Sequence, residues 1–341
     1  MAGQARDPQS ILREAAAIAS LAPSIHNTQP WQWLVHERDT ELYADRTRQL
    51  TATDPDGRSL TLSCGVALQH AQVALRAAGY LPDVLRLPDP DDEDLLARIT
   101  LGGATGASAE DTRDYQSMLI RHMDRRPFAD RAPSDEALQE LAAAADAGGA
   151  HLHLVRPDQV TTVTMAVSQA AEVEQSEPAY RRELHDWTHR GVDSGEGLPA
   201  GVLPEPAARR VPIREFDPDR DTGLPDEPEL ADRYARYAVL FGDRDDPAHW
   251  LRGGEALGAV LLSVVRLDLA VSPYSDPIEV LATRQLIARE VLSGLGAPYL
   301  VLRLGSPARS SRRGPGPPGA RSPRPSSRSP GTEPLSPGPR D

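Results

Sequence analysis

Lysine is missing from this chain: all 37 basic residues among its 341 are arginine. That absence excludes a Walker A phosphate loop, a Schiff-base enzyme and a lysine general base. Any anionic ligand is left to arginine, histidine, backbone amides or helix ends. Cysteine is nearly missing too. A lone Cys64 excludes an intramolecular disulfide and a multi-cysteine metal site, and its setting, LSCGVAL, reads as buried helix in which a thiol serves as a small hydrophobe. No apolar run is long enough to cross a bilayer, and Arg6, Asp7 and Arg13 break up any signal-peptide pattern. The expectation is a cytoplasmic protein with no membrane partner. The GxSxG, HExxH and Gly-rich dinucleotide patterns are absent, and GGATGAS at 102–108 lacks the spacing and strand context of the last.

With 39% hydrophobic residues, the chain can form one large domain or two ordinary ones. Its net charge of −13 is uneven. Residues 306–341 hold seven Arg against Glu333 and Asp341, so the preceding body is near −18, which argues against nucleic acid as a partner. That last stretch also carries ten Pro, eight Ser and one Leu; it cannot bury a core and is expected to be a disordered tail.

The stretch APSIHNTQPWQW at 22–33 stands at a helix-to-strand junction. Before it, Ile11, Leu12, Ala15, Ile18 and Ala19 recur at helical spacing over 8–21, and Pro23 ends that helix. After it, Pro30 opens a strand over 31–35. Asn27 and Gln29 each donate and accept, which suits the imide edge of a flavin or pyrimidine. From the residues alone an equal reading stands: Trp31 and Trp33 alternate into a core, Asn27 caps a turn through the backbone, and His26 is a turn residue.

Two halves repeat a plan. The helix and strand around the 22–33 turn are matched by a helix over 135–147, capped by Ser134 and ended by Gly148 and Gly149, and a strand over 151–155. A long apolar helix follows in each half: residues 63–80 align without gaps on 252–269, both beginning with small residues followed by Ala-Leu, so a duplicated α+β unit is the economical explanation. Between them, residues 178–250 are rich in Pro, Gly, Asp and Arg and show little periodicity. Such an insertion is either a lid, anchored here by Trp187, Ile213 and Phe216, or a floppy acidic loop.

Two further segments carry chemistry. RHMDRRPF at 121–128 is a dense cationic cluster able to fork onto phosphate oxygens, or a surface patch paired with Asp114, Asp124 and Asp130. AVSPYSDPIEV at 270–280 is a Pro-containing loop after the second long helix. His151 and His153 alternate on a strand without the partners a metal face needs.

APSIHNTQPWQW resembles the APSxxNxQPW box of FMN-dependent nitroreductases, in the HNTQPW form of their Acg-like branch. RHMDRRPF is similar to the basic box that this family places on the FMN phosphate, with Met123 where the family has Ser or Thr. PIE at 277–279 looks like the core of the loop that presents backbone N–H groups to flavin N5, with Val280 where Gly is usual. In order along the chain, seven such segments span roughly residues 8–305. The resemblance implies a nitroreductase-like α+β fold of two pseudo-symmetric units with mixed or antiparallel sheets flanked by helices. The first unit covers 1–115 and the second 116–305, with the lid-like insertion at 178–250. It implies one FMN site per chain. Pro23, Ser24, Asn27, Gln29, Pro30, Trp31, Gln32 and Trp33 would lie on the ring side, Arg121, Arg125 and Arg126 on the phosphate, and Pro277, Ile278 and Glu279 at N5. NAD(P)H would be the electron donor and a nitro compound or quinone the acceptor. The chain would act as a pseudo-dimeric monomer, with a homodimer as the alternative. No catalytic side chain is obligatory, because the chemistry belongs to the cofactor. Two other outcomes stay open: a lidded protein that sequesters FMN without turnover, and an inactive apoprotein. The second follows from Met123 and from the tail, where Arg324 in SPRPSS does not match the family's C-terminal Arg-Arg-Pro arm.

Overall fold

The structure, a computed structural model, describes residues 6–190, 195–198, 209–214 and 231–308. Helix α1 (Pro8–Ala19) leads into strand β1 (Trp31–Val35), followed by β2 (Asp39–Ala44), the long helix α2 (Arg58–Ala77), β3 (Tyr80–Arg86) and β4 (Leu95–Ala104). The pattern then repeats. After α3 (Ala109–Ile120), helix α4 (Asp135–Gly148) leads into β5 (His151–Leu154); α5 (Val160–Ser176) and α6 (Pro178–Thr188) intervene before β6 (Arg236–Gly242), the long helix α7 (Pro247–Arg266) and β7 (Ala270–Tyr274). Short helices α8 (Asp276–Glu279) and α9 (Leu281–Leu286) then lead to β8 (Ala297–Gly305).

The two sheets share one topology, β1-β2-β4-β3 and β5-β6-β8-β7, and every pairing between these strands is antiparallel. Helices α2 and α7 are both 20 residues long and begin and end at matching positions of the ungapped alignment. The match extends to atoms. A Cβ added at Gly65 would stand 2.1 Å from the Leu251 carbonyl oxygen, and one added at the equivalent Gly254 would stand 2.1 Å from that of Leu62. The two helices therefore cross backbone to backbone at a pseudo-twofold axis, an approach that only glycine permits. Helix α2 is buried around most of its circumference, as a helix central to a large core must be.

One hydrophobic core runs through both units, from Leu12, Leu60 and Leu68 to Leu240, Leu261 and Leu302, so the halves are not separable domains. A second cluster, including Val163, Tyr237, Ile287 and Val301, lies on the other face of the second sheet under α5 and α8. Strand β8 is consequently buried almost throughout, which explains the apolar run YLVL at 299–302.

The segment at 178–250 is less irregular than its composition suggests. Its start is α6, opened by Pro178 at the first helical position, and its end contains β6, a central strand of the second sheet. Of the expected lid anchors, Trp187 is buried, Ile213 faces the cavity described below, and Phe216 lies outside the described residues, as do residues 309–341 with Arg324. Ser306, expected at the head of the tail, is buried and pairs with Ala129. His151 bonds to Asp146, and His153 to Gln159. No helix among the described residues is long and apolar enough to cross a membrane.

Candidate functional site

The two units differ where one has kept a connection that the other has not. In the first unit, α1 and β1 are joined by residues 20–30; in the second, α4 and β5 are joined by residues 149 and 150 alone. Conversely β3 and β4 are joined without a helix, whereas β7 and β8 are joined through α8 and α9. The long turn of the first unit and the helical loop of the second face each other across α2 and α7 and enclose a cavity.

The turn is held in an uncommon conformation. His26, Asn27 and Gln29 have φ of 44°, 55° and 49°, a left-handed arrangement that such residues keep only when their surroundings compel it. Hydroxyls supply the compulsion: Gln29 N donates to Ser24 Oγ at 2.9 Å, and Ile25 N donates to Ser63 Oγ of α2 at 3.2 Å. Pro23, Ser24, Ile25 and His26 face the cavity. Asn27 and Gln29 turn the other way, where Asn27 Nδ2 donates to Gly197 O at 3.1 Å and Gln29 Nε2 to Gly195 O at 2.6 Å. They pin residues 195–198 against the turn, and Leu198 of that segment joins the cavity wall. Pro30 accepts from the Cys64 thiol; burial holds that thiol well above its ordinary pKa. Trp31 and Trp33 are in the core, and Gln32 is exposed between them.

Around the opposite side, Arg125 and Met123 reach the cavity. Burial and the neighbouring Arg214 push Arg125 down to about 10. Arg121, at the C-terminal cap of α3, is buried, donates only to Leu21 O at 3.3 Å, and leaves its Nε without an acceptor. Burial alone pushes it down to about 10. Among the described residues no carboxylate pairs with it. Arg126 lies outside the cavity and forks onto Asp124 with both bonds at 2.8 Å, while Asp114 pairs with Arg266. Pro277 and Ile278 are buried, and the N–H groups of Ile278 and Glu279 both donate to Ser275 O.

The insertion contributes the most heavily bonded cavity residue, Arg214. Its Nη2 lies 3.2 Å from Glu174, 3.1 Å from Asp276 and 2.5 Å from Glu279, and its Nη1 lies 2.5 Å from His26 Nε2. Burial, with Arg214 and Arg125 close by, keeps His26 well below its ordinary pKa and hence neutral, so its Nε2 accepts from Arg214. A few residues earlier Arg209 pairs with Asp232, which also holds Arg303. Residues 209–214 are thus fastened at both ends by buried guanidinium groups, with Val211 buried between them.

The sequence-predicted residues that line the cavity are Pro23, Ser24 and Arg125; Asn27, Gln29 and Glu279 stand directly behind its walls through the contacts above, and Arg121 is held at Leu21, two residues before Pro23. Sequence reasoning missed Ser59, Ser63, Ser272, Tyr274 and Asp276, and above all Arg214. Ser272, Tyr274 and Asp276 stand in the 270–280 segment and Ser63 opens the first long apolar helix match, but nothing in the sequence pointed at them individually.

No protein-family model matches the sequence. Among curated proteins, one from Mycobacterium tuberculosis named "Putative NAD(P)H nitroreductase Rv3131" is 37% identical over 298 residues, covering 86% of this chain and 84% of its own. The "Putative NAD(P)H nitroreductase acg" of the same organism is 30% identical over 297 residues, covering 86% and 88%. A Serratia protein, "Probable NAD(P)H nitroreductase PigM", is 37% identical over 76 residues, 21% of each chain. A crystal structure described as a "putative nitroreductase from anabaena variabilis" covers 89% of this chain and 74% of its own at 11% identity, with a TM-score of 0.42, an overlap too loose to weigh. With near-full-length relatives at such identity, the chain belongs to the nitroreductase superfamily, in its Acg-like branch.

Proposed function

We propose that this oxidoreductase binds one FMN per chain at the seam between its two units and uses it to pass electrons from NAD(P)H to a nitro compound or quinone. The observation that carries this reading is the composite cavity, whose turn comes from one unit and whose cationic wall and helical loop come from the other. Its residues fit such a group. Apolar side chains of α2, α7 and β8, such as Leu62, Leu257 and Leu300, offer flat walls, while Ser24, Ser59, Ser63 and Ser272 offer hydroxyls to the polar edges of a heterocycle. The buried Arg121, short of an acceptor, and Arg125 suit a phosphate.

Bound FMN would supply the two-electron chemistry. The protein's part is to orient and to exclude water: Ser63 and Ser24 fix the turn, Asn27 and Gln29 fasten the 195–198 segment over it, and the strained backbone at His26 holds its side chain at the cavity. Replacing Arg121 by Met removes a charge-assisted contact worth about 1.5–3 kcal/mol. In a fluorescence-quenching titration that substitution is expected to weaken FMN binding by about 10- to 100-fold and to leave riboflavin, which has no phosphate, unchanged. Equal losses for both flavins would remove Arg121 from the phosphate.

A second reading is sequestration, and a specific observation favours it: Leu198, Ile213 and Arg214 of the insertion form part of the cavity wall, and their segments are anchored by ion pairs of Glu196, Arg209 and Arg214. An anchored wall would deny nicotinamide its stacking position. Adding NADPH to the FMN-loaded protein without oxygen distinguishes the two. Bleaching of the yellow colour is the expected result; a yellow protein that stays yellow is a store, and a protein that FMN cannot colour is neither.

A further inference from the structure

Three carboxylates surround one nitrogen of Arg214, and they cannot all be ionised. Glu174 comes from α5, Asp276 and Glu279 from α8, and each is within 3.2 Å of Arg214 Nη2. All four side chains are at most 6% exposed. One guanidinium balances one carboxylate, and even the next cation at the cavity, Arg125, leaves the group net negative in a setting where buried charge must be compensated. Hydrogen-bond donors are also too few. Asp276 Oδ2 and Glu279 Oε1 are buried and lack any donor, which is costly for an anionic oxygen and far less so once a proton resides in the cluster. The other facing groups do not relieve the shortage: His26 of the turn is neutral and accepts from Arg214, and Tyr180 of α6 lies with its ring 5.7 Å from the Arg214 guanidinium and its hydroxyl unbonded.

We propose that Glu174, Asp276 and Glu279 share a bound proton at neutral pH and that Asp276, the member lining the cavity, delivers it to the oxygen of the acceptor being reduced. The inference rests on the redox reading above. Two-electron reduction of a quinone carbonyl leaves an oxyanion, and each oxyanion requires one proton. The O–H bond of Asp276 breaks as the acceptor's O–H bond forms; Asp276 regains a proton from the cluster, in which Glu174 shares a side-chain hydrogen bond with Glu279, and the cluster regains one from water. The electrons come from NAD(P)H through the cofactor, so the cluster supplies only the proton. Glu174 is the store. Burial, reinforced by the like charges of Glu279 and Asp276 against the pull of Arg214, pushes its carboxyl from an ordinary 4.5 up to about 9.

The sign follows from linkage. Between those two values the folded state holds a proton that the unfolded state has released, so stability falls as pH rises. Flavin-free protein unfolded in urea is therefore expected to show a midpoint that falls between about pH 7 and 9, above the range where the buried neutral His26 and His70 act in the opposite sense, and Glu174→Gln, which mimics the protonated acid, to lose most of that fall. Equal slopes in the two proteins would overturn the proposal without reference to any flavin. In the FMN-loaded protein, with a benzoquinone as acceptor and reduced FMN mixed against it, Glu174→Gln is expected to shift the pH profile of reoxidation, and Asp276→Asn to slow the step at least tenfold at every pH. An NADPH-bleachable protein whose reoxidation profile is identical in Glu174→Gln would overturn proton delivery and leave the flavoenzyme reading standing. A protein that never takes up FMN would sink that reading, and delivery with it, even where the unfolding slopes still differ.

Discussion

At Arg214 the energetics of one residue govern the cavity wall. Removing a cation from a buried, hydrogen-bonded group of acids costs about 3–5 kcal/mol, because the partners stay behind without compensation. Arg214→Met is thus expected to lower the unfolding free energy by about that amount near neutral pH. Denaturant titration checks this, and an unchanged unfolding free energy would show that the carboxylates do not need its charge. The same residue shows why parts of the site were hidden from sequence. Its partners at 26, 174, 276 and 279 are scattered along the chain, and a lone Arg among Pro and Asp carries no periodic signal. Ser24 and Arg125 were legible because each sits in a compact motif. Asn27 and Gln29 were legible as hydrogen-bonding residues, but the direction of an amide is set by tertiary neighbours, here the carbonyls of Gly195 and Gly197.

Among the elements, the crossing of α2 and α7 sets the relation of the two halves and so the shape of the cavity. A methyl group at Gly254 would meet the Leu62 carbonyl at 2.1 Å and the Gly65 Cα at 2.7 Å, both backbone atoms that cannot rotate away. Gly254→Ala is expected to force the helices apart and cost at least about 1–3 kcal/mol, the usual penalty for overpacking a core, with a matching drop in thermal midpoint. The change at Gly103, where an added Cβ meets nothing within 4 Å, serves as the control; equal midpoints for the two variants would contradict the crossing. These helices were readable from sequence as an ungapped internal match, and β1, the Ser134 cap and the Gly149 end were readable from local chemistry. Helix α5 was not. It begins VTTVT, a β-branched run with poor intrinsic helix preference, and it forms because Val163 and Val167 pack into the second core. Strand β6 was overlooked because its apolar run follows a long Pro- and Asp-rich stretch, and its central place in the sheet is a long-range pairing with β8.

At the scale of the whole molecule, a duplicated unit has become asymmetric. Each half keeps one of two connections, the long turn at 20–30 in the first and the helical loop between β7 and β8 in the second, and a single continuous core makes them one body. Two complete units would build two equivalent cavities; two complementary half-sites build one. The most direct test is stoichiometry. Titrating the purified chain with FMN and following the quenching of flavin fluorescence should give saturation at one flavin per chain. Two flavins per chain, or none at any concentration, would contradict a single site assembled between the halves.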